Sequence, residues 1–350
     1  MYIVSEPNYA TTNWYQNSVA ALKNQARKKR VSLTFAEDAA PLDGERCALV
    51  LGASASWIVK TLSAMQTVGC HPILINELPD DPLSVRYSCV KTDYRRFMDL
   101  LSSYFSAQGR SHTAFYGMNH ASFSDLSRKN AFLACFQGGA IFENNGSLSA
   151  CFADFSRAHA EKPFDSVICA NDFAAVSLLN HLRSAGMDTD RICIAVHSNA
   201  QLLTRFPEIL AVGVDYPTVA SAAFEIADCI CANPSFAGMR ITVDPSTALW
   251  QELPARTPDA ALPADAARYD PIYTDGELSE LMRIEKLLSA CDETDLEILR
   301  HLAENCNAIG ESTFLSDNGV KYRIKKMKKI CNVTSKSEIP PLLSKYGVEI

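Results

Sequence analysis

The sequence lacks any apolar run of the roughly 18 residues that a membrane span requires. Its opening, Met1-Tyr-Ile-Val-Ser5-Glu-Pro7, also lacks the basic stretch and long apolar core of an export signal. Twelve cysteines are present, yet none form a C-x-x-C pair. Several lie inside apolar runs, as in Ser166-Val-Ile-Cys169-Ala170, where a free thiol behaves as a small hydrophobe. No histidine stands in H-E-x-x-H or in a Cys/His ligand spacing, and the nucleophile elbow, phosphate loop and dinucleotide fingerprint are all missing. These absences point away from a secreted disulfide scaffold, a membrane protein, a zinc site and the common hydrolase and nucleotide classes. The expectation is a reduced, cytoplasmic protein that is not an enzyme, with no cofactor, no metal and no membrane partner. Net charge is −7, from 33 basic and 40 acidic residues, which does not suit a protein that coats nucleic acid over its whole surface. A local basic patch remains compatible with it.

What is present is a regular alternation. Strands are expected at 2–5, 31–35, 48–52, 72–75, 113–118, 140–142, 166–170 and 192–196. Helices are expected at 14–28, 56–68, 94–107, 125–137 and 173–185. Strands separated by single helices pair in parallel, and continuous apolar strands such as Ala48-Leu-Val-Leu-Gly52 suit a sheet covered on both faces. The fold class is therefore α/β with doubly wound parallel sheets. From Leu253 to Pro271 the chain carries four prolines and no sustained period, which reads as a linker. Beyond it the pattern is helical, with helices expected at 277–290 and 295–305. In all, 350 residues that are 47% apolar suffice for one large core and a smaller one.

Two segments carry a family resemblance. Ser166-Val-Ile-Cys-Ala-Asn171-Asp172-Phe-Ala-Ala resembles the A-x-N-D-x-x-A segment of LacI/GalR regulators, and Ser124 to Phe132, with Arg128 inside, resembles their S-x-x-R-x-x-G-F. Arg240-Ile-Thr-Val243 is similar to the last strand of that domain. The resemblance implies a type I periplasmic-binding-protein-like sensor over residues 1–250. It places lobe one at 1–110 and 217–237, and lobe two at 111–216 and 238–250. A small polar effector, such as a sugar, would lie between the lobes. By this resemblance Asn76, Arg128, Asn171, Ser198 and Asp215 are the candidate ligand contacts. Asp172 is expected to cap the helix that follows it. Ser198 stands where sugar-binding members carry an aspartate. Strand one begins at Tyr2, so the DNA-binding module that usually precedes this domain is expected elsewhere.

Residues 276–350, after a linker at 251–275, are expected to hold a connecting helix and an all-α DNA-binding domain. Ser312-Thr-Phe-Leu-Ser316-Asp-Asn-Gly-Val-Lys321-Tyr-Arg-Ile-Lys325 is similar to the second half of a LuxR-type helix-turn-helix. The stretch 305–313 is shorter than in that family, so an abbreviated second helix is expected. Val320, Ile324, Met327 and Ile330 mark one apolar face of the recognition helix, and no acidic residue occurs from Gly319 to Ser335. The resemblance assigns Lys321, Tyr322 and Lys325 to base edges, and Ser316, Lys329 and Lys336 to phosphates. The reading is a homodimeric, ligand-responsive regulator bound to a DNA operator. A solute-binding protein of a transporter and an α/β-cleft hydrolase are the rival readings.

Overall fold

The computed structural model describes residues 1–76, 78, 85–236, 238–245, 275–304 and 309–350. Most of the expected linker lies outside the described residues. The chain forms two parallel sheets flanked by helices. The first comprises β1 (Tyr2–Ser5), β2 (Thr34–Ala36), β3 (Cys47–Leu51), β4 (His71–Ile75), β5 (Ser88–Thr92) and β11 (Arg240–Val243), in the order β11-β5-β4-β3-β1-β2. The second comprises β6 (Thr113–Met118), β7 (Ala140–Glu143), β8 (Ser166–Cys169), β9 (Cys193–His197) and β10 (Ile209–Val212), in the order β10-β9-β8-β6-β7. Every pairing in both sheets is parallel.

Burial explains the strand composition. All five residues of β3 and all six of β6 are buried, so neither strand has a solvent face on which to alternate. On the first sheet, α1 (Asn13–Lys29) and α7 (Tyr216–Ala232) cover one face with Leu22, Ala26, Ala223 and Phe224. The helix α2 (Ala55–Thr67) covers the other with Ile58, Leu62 and Met65. On the second sheet, α3 (Tyr94–Ala107) and α4 (Phe123–Cys135) cover one face. The other is covered by α5 (Leu148–Glu161) and α6 (Asp172–Ser184). Side-chain caps start most of these helices: Thr12 accepts from Tyr15 N, Ser122 from Asp125 N and Ser147 from Ala150 N.

The lobes divide the chain differently from the sequence reading. Helix α3, expected in lobe one, packs through Phe97, Met98 and Leu101 on Phe115 and Ile168 of the second sheet. Strand β11, expected in lobe two, is the edge of the first sheet, with Arg240 beside Cys89 and Val243 beside Thr92. The chain therefore passes between lobes near Asp93, near Asp215 and after β11. Helix α5 and strands β5 and β10 were not among the expected elements. For α5 the signal was present, since Leu148, Cys151 and Phe155 repeat at helical spacing and are buried.

The C-terminal segment forms α8 (Gly276–Ala290), α9 (Glu293–Ala303), α10 (Ile309–Thr313), α11 (Asp317–Cys331) and α12 (Ile339–Lys345). It is not a free-standing module. Leu278, Leu281, Ile284 and Leu287 of α8 share one continuous apolar core with the outer face of lobe two and with Ile298, Val320, Met327 and Leu343. Asp275, expected as the end of the linker, belongs to this fold: it caps α8 through Glu277 N and Leu278 N.

Candidate ligand cleft and basic helix

A cavity lies between the lobes, where the carboxyl ends of both parallel sheets face each other. This is the usual ligand position in doubly wound folds. It encloses about 160 Å³ and is lined by residues that follow strands: Asn76 after β4, Asn119 after β6, Asn171 after β8, Ser198 after β9 and Val214 after β10. Trp14, Tyr94 and Tyr216 add aromatic wall. Beside the cavity the lobes touch through a bridge of Ser54 with Ser122, where Phe123 N donates to Ala53 O at 3.2 Å. Buried Glu6 holds the lobe-one side of that bridge by accepting from Ala53 N (2.9 Å) and Ser54 N (3.1 Å).

Arg128 is brought to the cavity by α4. Its Nη1 donates to Asp125 Oδ1 at 2.8 Å and to Ala170 O at 2.9 Å, and the guanidinium lies 4.8 Å over the ring of Tyr94. Burial opposes its charge, but Tyr94 and Asp125 outweigh burial and raise its pKa further, so it stays cationic. Its Nε is buried with no hydrogen-bond partner.

The neighbouring pair Asn171 and Asp172 exchange the roles expected of them. Asn171 is the cap of α6, its Oδ1 accepting from Ala174 N at 2.9 Å, although it also lines the cavity. Asp172, expected as the cap, sits inside the first turn with its carboxylate in the cavity. Ser198 Oγ accepts from Ala200 N at 3.2 Å, and Asp172 Oδ2 is buried without a partner. Burial and then the charge of Glu285 push the Asp172 pKa up to about 7, against the pull of Ser198 and Arg128.

His197 closes the wall at the end of β9. Its ring is 5.8 Å from Tyr94, edge to face, and 5.0 Å from Phe97. Burial, then Arg128, pull its pKa down to about 3, with only the Gly213 backbone pulling the other way, so it is a neutral imidazole at ordinary pH. Neither nitrogen makes a hydrogen bond of normal geometry. Asn76, with Nδ2 3.5 Å from Gly52 O, is on the wall as expected. Asp215 is not. It caps α7, its Oδ1 accepting from Thr218 N at 2.9 Å and Oδ2 from the Thr218 hydroxyl at 2.7 Å, while its neighbours Val214 and Tyr216 reach the cavity.

The second feature is α11. Ser316 caps it through Gly319 N at 3.3 Å. Val320, Met327 and Cys331 are buried, and Arg323 is fixed to the start of α9 by Asp292 and Asp295, each at 2.8 Å. Lys321, Tyr322, Lys325, Lys329 and Lys336 are exposed, as is Ser316. Lys321, Lys325, Lys328 and Lys336 line a shallow groove. Among the described residues helix α10 spans Ile309–Thr313, and residues 305–308 of the stretch expected to hold a shortened helix lie outside the described residues.

Among the described residues no cluster of His, Cys, Asp and Glu could hold a metal, and no helix is long and apolar enough to cross a membrane. No protein-family model matches the chain, and no curated protein matches it. Solved structures do match. The fold matches the type I periplasmic-binding-protein-like α/β fold, and the matching structures include LacI-type regulators and a transport component. The transcriptional regulator CelR in complex with cellobiose is 13% identical with a TM-score of 0.56, over 70% of this chain and 81% of its own. The transcription regulator CcpA of Lactococcus lactis is 13% identical with a TM-score of 0.56, over 70% of this chain and 96% of its own. The binding component of the arabinose transporter of Shewanella sp. ANA-3, bound to L-arabinofuranose, is 14% identical with a TM-score of 0.55, over 69% of this chain and 90% of its own.

Proposed function

We propose that the chain is a ligand-responsive transcription regulator, with a small polyhydroxylated effector such as a sugar in the interlobe cleft and duplex DNA on α11. The observation that carries the effector half is a cavity wall built from Arg128, Asp172 and His197, on which two buried polar atoms, Asp172 Oδ2 and Arg128 Nε, have no partner. Buried groups of this kind cost free energy until a partner arrives. A hydroxyl can donate to Asp172 and accept from Arg128, so a polyol satisfies both, and Trp14, Tyr94 and Tyr216 offer apolar faces for its ring. The neighbours that carry cellobiose and arabinofuranose support a sugar. Arg128, Asn171, Asn76 and Ser198, with Asp172 added, are the proposed contacts.

The DNA half rests on the exposed lysines of α11, which suit a phosphate backbone, in a helix-turn-helix arrangement of α9, α10 and α11. Lys321, Tyr322 and Lys325 would face base edges, and Ser316, Lys329 and Lys336 would hold phosphates. A homodimer would pair two half-sites.

Helix α8 is the proposed relay. Leu278 is part of the cavity wall, and Asp275 Oδ2 accepts from Leu148 N at 2.7 Å and from Asn144 Nδ2, itself on the wall, at 3.4 Å. Glu285 accepts from Gln201 N at 3.0 Å, just beyond Ser198. An effector that moves these loops moves the platform on which α11 sits, so the two ligands bias one equilibrium. The test is a thermal-shift panel of sugars followed by DNA titration with each hit. A hit that stabilises the chain and changes DNA affinity supports the reading. Sugar binding without any DNA affinity would favour a solute-binding protein.

A further inference from the structure

Phe314 is the most exposed large apolar side chain among the described residues, at 95%, and Tyr322 on α11 follows at 72%. Phe314 lies in the turn between α10 and α11, two residues before the Ser316 cap. Its φ is 54°, in the left-handed region. The turn itself is ordinary: Leu315 N donates to Gly310 O at 3.1 Å and closes α10 as such turns close helices. Only two other described non-glycine residues share this region, Arg30 and Asn332, which end α1 and α11, and both are polar. Glycine or asparagine would fill this position without steric cost. A phenylalanine here is disfavoured by the backbone and gains nothing from burial in the free chain, which directs attention to what it meets in a complex.

The surroundings define that partner. The groove beside the turn is lined by Lys321, Lys325, Lys328 and Lys336 against one acidic residue, Asp317, a surface of net positive charge complementary to a polyanion. In helix-turn-helix complexes the N-terminal end of the second helix is the end that meets base edges, and Phe314 stands at that end of α11. A phenyl ring offers a phosphate nothing to bond, whereas the C5-methyl of thymine is the one apolar group that a base presents in the major groove. We propose that Phe314 reads sequence by packing on a thymine methyl of duplex DNA. The inference rests on the reading of α11 as a DNA-binding helix and adds a specificity residue to it.

The test uses the full chain, wild type and Phe314→Asn, on a pool of random-sequence duplex DNA. Asparagine suits the left-handed backbone, so this variant should fold at least as well. Wild type should enrich a site containing an invariant thymine. Replacing that base with deoxyuridine removes only the methyl and should weaken wild-type binding about threefold or more. Phe314→Asn should be indifferent to the replacement, while binding unselected duplex as wild type does and with the same salt slope. The inference is overturned if the variant still distinguishes thymine from uracil. It is overturned equally if the variant loses self-association in light scattering instead of base preference. A wild-type chain that binds no duplex at low salt would overturn the DNA reading itself, and the inference with it.

Discussion

The cleft and α11 hold polar groups in opposite states, and the contrast separates two kinds of recognition. In the cleft, Arg128, Asp172 and His197 are buried with bonding positions open. Low dielectric and fixed geometry make each unmet position count, so the site suits a small neutral ligand matched atom by atom. On α11, Lys321, Lys325 and Lys329 are exposed and make no ion pair with a described residue. Screening makes each of them weak alone, so the surface suits a long, regularly charged partner. Arg323, the one arginine of α11, is meanwhile committed to holding that helix against α9.

The sharpest way to break this contrast is Arg128→Ala. It removes the donor that Asp125 Oδ1 and Ala170 O share and takes a cation from the cavity wall. A loss of about 3–5 kcal/mol of stability and of measurable sugar binding is expected, checked by denaturant unfolding and calorimetry. DNA affinity without effector should change little by comparison. Next is Asp275→Ala, which removes the α8 cap and the bond to Leu148 N. About 1–3 kcal/mol is expected to be lost, with faster hydrogen exchange in α8 and at residues 144–148 together. Faster exchange in α8 alone would remove its role as relay.

The third expectation concerns pH. Asp172 has its pKa raised to about 7 in the fold, above its ordinary value of 3.8. Its contribution to stability is therefore full below pH 3.8 and is lost as pH rises through about 7. His197 runs the other way. Lowered from 6.5 to about 3, it contributes above pH 6.5, and that contribution is lost as pH falls through about 3. Asp172→Asn should thus stabilise the empty chain at pH 8, leave the acid loss from His197 in place, and weaken sugar binding. A variant no more stable than wild type at pH 8 would contradict the buried-carboxylate account. The smallest expected effect is Gly319→Ala. A Cβ there would meet Ser316 Oγ at an ordinary 3.5 Å, so relief of the glycine penalty in α11 should raise stability by about 1 kcal/mol.

Local pattern made the sheets legible, because short apolar runs such as Cys47–Leu51, alternating with helix-length amphipathic segments, suit strands covered on both faces. Sheet membership was harder to read. Nothing in Arg240–Val243 indicates which sheet edge it joins, and the lobe bounds taken from the family resemblance misplaced it, as they misplaced α3. The cleft was partly legible. Asn171, Asn76 and Ser198 meet there because strand ends converge, and Arg128 is carried in by α4, but the choice between Asn171 and Asp172 as cap turns on a backbone rotation that composition does not record. The resemblance put Asp215 among the ligand contacts by its place in a crossover, whereas its side chain caps α7. The docking of α8 on lobe two was invisible, since its apolar stripe of Leu278, Leu281, Ile284 and Leu287 fits any apolar surface.

The central claim is that this platform presents α11 to DNA, and a salt titration tests it most directly. Deleting 291–350 would strip the core under α8, so point variants are the cleaner instrument. Affinity for duplex DNA should fall as salt rises in wild type. Lys329→Ala should lower the slope of log affinity against log salt by about one on every sequence. Lys325→Ala should instead weaken the preferred site by about 1–3 kcal/mol over unrelated DNA. If the double variant binds with the wild-type slope and the wild-type preference, α11 is not the reader and the account fails.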